Sequence, residues 1–115
     1  MGKVETAFQT KLRMYFEGLD CYVTKFNASG ISKTGVPDLL MCVNGQYLGV
    51  EVKKEDGKIS KIQQWNMIQI RKAGGHAICV RPSDFKAVKK AMETSQNPLD
   101  ELEDICKYNE IESGD

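Results

Sequence analysis

Between residues 4 and 19 the apolar positions Val4, Phe8, Leu12, Tyr15, Phe16 and Leu19 recur mostly three or four apart. At ~100° per residue they fall on one stripe, which predicts an amphipathic helix. Residues 21–26 are rich in aromatic and β-branched side chains and predict a short strand. Residues 27–35 are loop-like in their Asn, Ser and Gly content. Two apolar runs follow, at 38–43 and 46–53, separated by Asn44-Gly45. That dipeptide between apolar runs is a strong hairpin signal. Pairing positions symmetrically about it places Asp38 opposite Glu51.

Residues 55–58 break the second strand. Ser60, with Gln63 three positions on, has the spacing of a capping box and opens a helix to about Ala73, stopped by Gly74-Gly75. Residues 76–80 form a further apolar strand, and Pro82-Ser83 starts a helix with Phe85, Val88 and Met92 on one face. After a break at 95–98, Leu99, Leu102, Ile105 and Cys106 predict a last, acidic helix. The order is α-β-β-β-α-β-α plus a tail helix. The strand–helix–strand crossover should be parallel and right-handed, giving an α/β fold with a mixed sheet flanked by helices.

The chain has 115 residues, 41% hydrophobic and 28% charged, which suits one globular domain. Its net charge of zero hides a split. Residues 1–90 hold fifteen of the sixteen Lys/Arg and eight of the sixteen Asp/Glu, a balance of +7; residues 91–115 carry −7. A basic body suits a polyanion partner, with an acidic tail that either competes for that surface or is merely solvated. The expected division is a domain at 1–92 and an acidic segment at 93–115. Cys21, Cys42, Cys79 and Cys106 are widely spaced, which argues against a disulfide framework or zinc site; Cys42 and Cys79 sit in apolar runs, as small core hydrophobes do. No apolar run approaches the ~20 residues of a membrane span and no signal core precedes the first helix. A soluble cytoplasmic protein, with no membrane partner, is expected.

Candidate chemistry gathers on the hairpin. Lys53 shares a strand face with Glu51, because side chains alternate with period two. Two carboxylates facing each other across a ladder repel unless a cation lies between them. Hard ions such as Mg²⁺ take a few carboxylates plus water and phosphate oxygens. Such an ion acidifies bound water, and with the lysine it stabilises charge on a pentavalent phosphate. Glu5 falls inside the apolar stripe of the first helix, where a carboxylate needs a partner, although a first-turn acid also suits the helix dipole. Gln63 is either the capping partner of Ser60 or a polar group that helps place water or metal. Lys33, Lys54, Lys58 and Lys61 cluster near these positions and could contact phosphates, or simply be solvated. The helix holding Ile62, Trp65, Met67, Ile68 and Ile70 is apolar nearly all round, so a second buried face, such as a homodimer contact, is implied. His76, the single histidine, has no Ser or Cys at a suggestive spacing, and no Walker or GxGxxG loop points to a nucleotide cofactor.

Glu5 on the first helix, Gly35-Val-Pro37-Asp38, Glu51-Val-Lys53 and Ser60-Lys-Ile-Gln63 together resemble the motif series of the PD-(D/E)XK nucleases, in particular the stand-alone VRR-NUC domain of phages and prophages. The resemblance covers roughly residues 1–90. It implies the restriction-endonuclease-like core and a Mg²⁺- or Mn²⁺-dependent, structure-selective DNA endonuclease, similar to Holliday-junction resolvases and acting on branched or double-stranded DNA as a homodimer. In a phage-encoded member the location would be the bacterial host cytoplasm. By the same resemblance Glu5, Asp38 and Glu51 are acidic site residues, with Asp38, Glu51 and the backbone carbonyl of Val52 as metal ligands. Lys53 orients the attacking water or stabilises the transition state, and Gln63 is the glutamine of the family motif. A non-cleaving DNA-binding or assembly module on the same fold, or a nuclease acting on RNA, is the alternative.

Overall fold

Asn44 and Gly45 take φ of 51° and 79°, the pair of positive values that a two-residue hairpin turn requires. They join β2 (Leu39–Val43) to β3 (Gln46–Val52) in the expected register, with Leu39 opposite Val50 and Met41 opposite Leu48. The structure, a computed structural model, describes residues 3–26 and 34–106. Before the hairpin come α1 (Lys3–Glu17) and β1 (Tyr22–Lys25). After it come α2 (Lys61–Lys72), β4 (His76–Val80), a 3₁₀ turn at Pro82–Asp84, α3 (Phe85–Thr94) and α4 (Pro98–Ile105). The sheet runs β1-β2-β3-β4; β1 and β3 pair antiparallel with β2, and β4 pairs parallel with β3.

Strand alternation divides the interior. On one face Leu48, Val50, Val52, Ile78 and Val80 meet Phe8, Leu12 and Phe16 of α1, Val88 and Ala91 of α3, and Leu99 and Leu102 of α4. Edge-to-face rings (Phe8 and Tyr15, each 5.7 Å from Phe85) lock α1 against α3. On the other face Ala77 and Cys79 pack with Ile59, Met67 and Ile70, so α2 lies over β4 and the adjoining part of β3. Cys42 also points to that face, but beyond the cover of α2. It is exposed, unlike the core thiol its apolar run suggested, whereas Cys79 and Cys106 are buried; all four are free thiols.

The acidic C-terminal segment contains the expected helix, α4, which closes the β4 edge. Glu103 Oε2 accepts the Ala77 N–H at 3.2 Å, and the Cys106 carbonyl accepts that of Cys79 at 3.4 Å. Backbone donors that would face solvent or a foreign strand are thereby satisfied. Among the described residues no helix is long and apolar enough to cross a membrane.

Candidate active site

The capping box at Ser60 forms as expected: the Ser60 hydroxyl accepts the Gln63 N–H at 3.2 Å, and Gln63 Oε1 accepts the Ser60 N–H at 3.0 Å. The cap uses only the amide oxygen. Gln63 Nε2 is free to reach the sheet, where it donates to Glu51 Oε2 at 2.9 Å. One side chain therefore caps α2 and also holds the Glu51 carboxyl.

Asp38 is fixed from two sides. Its carbonyl accepts the Phe26 N–H at 2.9 Å, extending the pairing with β1, and its Oδ2 accepts the Val52 N–H at 2.8 Å. The turn that delivers it depends on Gly35, at φ 80°, where a Cβ would lie 2.8 Å from Asn66 Nδ2 and 2.9 Å from Ile62 Cγ1. Asn66 in turn donates from Nδ2 to the carbonyls of Thr34 (3.0 Å) and Ile62 (2.8 Å), tying this turn to α2.

Glu51 is 3% exposed, and burial together with the neighbouring Asp38 charge pushes its carboxyl up to about 9, Lys53 pulling the other way. Burial also raises Asp38, opposed by the Val52 N–H, by a hydrogen bond with Glu51 and by the Lys53 charge. With the Glu51 carboxyl raised this far beside Asp38, the pair shares a proton when no cation is present. Glu51 Oε1 is sealed from solvent and receives no N–H or hydroxyl donor among the described residues. A buried, donor-less carboxylate oxygen beside a second carboxyl fits a divalent cation, which would replace the shared proton and satisfy that oxygen.

Lys53 is half-buried and continues the parallel ladder, donating its N–H to Val80 at 3.1 Å, while its charge acts on both carboxyls. Glu5, half-buried on α1, adds negative charge felt by the same two groups. Glu5, Asp38, Glu51, Lys53 and Gln63 thus form one constellation. Lys54, Lys58 and Lys61 are exposed on the segment that joins Lys53 to Gln63; Lys54 lies 3.8 Å from Asp56. Lys33 lies outside the described residues.

Among solved structures, one described as a VRR_NUC domain matches with a TM-score of 0.67 and 31% identity, over 82% of this chain and 99% of that one. The chain belongs to the VRR-NUC family. A second match is Hjc of Archaeoglobus fulgidus, a Holliday junction resolvase from an archaeal hyperthermophile, at a TM-score of 0.54, 20% identity and 66% of each chain. At that identity the likeness concerns the fold, which is that of the PD-(D/E)XK nucleases. No family model and no curated protein matches the sequence.

Two groups in this VRR-NUC domain have no clear signal in the sequence pattern. Asn66 reads as a surface amide in mid-helix, yet it lies three residues after Gln63, on the stripe that also carries buried Met67. His76, dismissed as a catalytic base, meets Asp100 and Glu103 of α4 at the opposite end of β4 from the Asp38–Glu51 pair. The sequence signal for that meeting is the Asp100/Glu103 spacing of three, which puts both acids on one helix face.

Proposed function

We propose that this VRR-NUC domain is a divalent-metal-dependent endonuclease that hydrolyses phosphodiester bonds in branched DNA. The observation that carries this reading is the Asp38–Glu51 carboxyl pair with its donor-less buried oxygen, flanked by Lys53.

Asp38 and Glu51 would hold Mg²⁺ or Mn²⁺, with the Val52 carbonyl as a further ligand; the cation would supply water acidification and neutralise phosphoryl charge. The chain's own residues do the rest. The Val52 N–H and Gln63 Nε2 each restrain one carboxyl and so preorganise the ligand oxygens. The Lys53 ammonium stands beside them to orient the attacking water and to stabilise the charge that builds on the phosphate in the transition state. Glu5 adds negative charge that strengthens cation binding. Exposed Lys54, Lys58 and Lys61, with Lys33, contact phosphates flanking the scissile bond and make binding salt-dependent. Two copies, joined through the exposed side chains of Ile62, Trp65 and Ile68, would present two such sites to opposed strands.

The deciding experiment incubates the purified protein with labelled four-way, flap and linear duplex DNA, and with RNA, with and without Mg²⁺ or Mn²⁺. Metal-dependent cleavage of branched DNA, lost in Asp38→Ala, Glu51→Ala and Lys53→Ala while binding persists, is the expected result. Full activity in all three variants rules the mechanism out. Preference for RNA would redirect the substrate, and binding without cleavage under every metal would identify a non-cutting module.

A further inference from the structure

His76 opens β4, and three residues on Cys79 is the strand partner of Glu51, so roughly 10 Å of extended strand separates their levels. Here an imidazole and two carboxylates converge. His76 Nδ1 lies 3.4 Å from Glu103 Oε1 and 3.9 Å from Asp100 Oδ1, and the three ligand atoms all fall within 4.8 Å of one another.

We propose that His76, Asp100 and Glu103 form a second metal site, for a borderline transition cation such as Zn²⁺, which fastens α4 to the edge of the sheet. Metal–ligand bonds of ~2.0–2.1 Å in a tetrahedron set neighbouring ligand atoms about 3.4 Å apart. The His76–Glu103 separation already has that value, and the exposed Asp100 side chain needs only a small rotation to match it. A nitrogen-and-oxygen donor set suits zinc, in contrast to the carboxyl pair at the other end of the strand.

The surroundings prepare these atoms as ligands. Glu103 Oε2 is occupied by Arg71 Nε at 2.9 Å and by the Ala77 N–H at 3.2 Å, which turns Oε1 toward the imidazole. His76 Nδ1 is sealed from solvent and has no hydrogen-bond partner among the described residues. The opposite ring nitrogen, Nε2, lies 3.5 Å from the Gln46 amide. A half-turn of that amide lets its oxygen accept the Nε2 proton, leaving the Nδ1 lone pair facing the carboxylates. A polar hollow lined by Asn44, Gln46, Gln96 and Asn97 opens beside His76 and Asp100, so water can fill the fourth position.

The test is a calorimetric Zn²⁺ titration of the full chain carrying Asp38→Asn, to disable the other carboxyl pair, and Cys42→Ser, to remove an exposed thiol. One equivalent of Zn²⁺ is expected, lost on adding His76→Gln and weakened at least tenfold by Asp100→Asn. At a hundredfold excess over Kd, zinc should raise Tm by roughly 10 °C. Asp100 is 72% exposed, so its variant keeps the test decisive if His76→Gln does not fold. Failure to bind zinc, or equal binding with and without His76 and Asp100, overturns the site and leaves an ordinary imidazole–carboxylate contact. Neither result bears on DNA cleavage.

Discussion

Gln63 joins the first turn of α2 to the carboxyl of Glu51, its oxygen capping Ser60 at 3.0 Å and its nitrogen reaching Oε2 at 2.9 Å. Helix initiation and the orientation of the Glu51 carboxyl therefore meet in one side chain, and two substitutions separate them. Ser60→Ala breaks the cap alone and should cost about 1 kcal/mol, a few degrees in Tm, with cleavage nearly unchanged. Gln63→Ala should cost a similar amount of stability and also lower turnover roughly tenfold, because Glu51 loses its restraint. Parallel Tm and single-turnover measurements check this; equal turnover in the two variants would reduce Gln63 to a cap.

Under the proposed function, the carboxyl pair would make metal binding pH-dependent. Glu51 in the folded chain keeps its proton to about 9, whereas in the unfolded chain it ionises in the ordinary carboxylate range. Its folded value is raised, so the stabilisation is fully present below pH ~4.5 and is lost as pH rises toward 9. Without metal, urea unfolding should show stability falling across this window, and Glu51→Gln should flatten the slope and be the more stable protein at pH 8. A cation must displace the same proton. Mg²⁺ affinity should therefore climb with pH, by up to tenfold per unit, and level off near pH 9. Calorimetry in buffers of different ionisation enthalpy should record proton release on binding, and none in Glu51→Gln.

Much of this was legible in the sequence because the controlling signals are local. Asn44-Gly45 sets a register, and a period of two then carries Asp38, Glu51 and Lys53 to one face without tertiary information. Ser60 and Gln63 announce the start of α2 in the same way. What escaped depends on how far one element extends over another. Cys42 is exposed because α2 stops short of it, a matter of helix placement that strand alternation does not encode. Asn66 was invisible because its partners, the Thr34 and Ile62 carbonyls, are backbone atoms common to every residue type. The edge role of Glu103 has the same origin, since its acceptor oxygen meets a main-chain donor of β4.

The tie from Asn66 to the Gly35 turn should be felt at Asp38. Asn66→Ala removes the donor to two carbonyls and should cost about 1–3 kcal/mol, read from urea unfolding. Gly35→Ala should be worse, since a left-handed residue other than glycine costs about 1–2 kcal/mol before any clash, and here a Cβ meets Asn66 and Ile62 below 3.0 Å. Both variants should weaken Mg²⁺ binding, because the turn that presents the Asp38 carboxyl is displaced. Metal affinity unchanged in a folded Asn66→Ala would show that the Val52 N–H suffices to hold Asp38.

The apolar face of α2 yields the last expectation. Ile62, Trp65 and Ile68 are 45%, 48% and 37% exposed, an unusual concentration on one side of a surface helix. If a second copy covers them, Ile68→Lys should convert a species of twice the chain mass into monomer in sedimentation experiments. Ile68 is 37% exposed, so the change should cost the isolated chain only about 1 kcal/mol, a few degrees in Tm extrapolated to low concentration. Each chain carries its own Glu5, Asp38, Glu51, Lys53 and Gln63, so the monomer should still nick branched DNA. Paired incision of a four-way junction should fall steeply, because the second strand would then require an independent encounter. A wild-type chain that sediments as a monomer at all concentrations would remove the dimer, and paired cleavage with it.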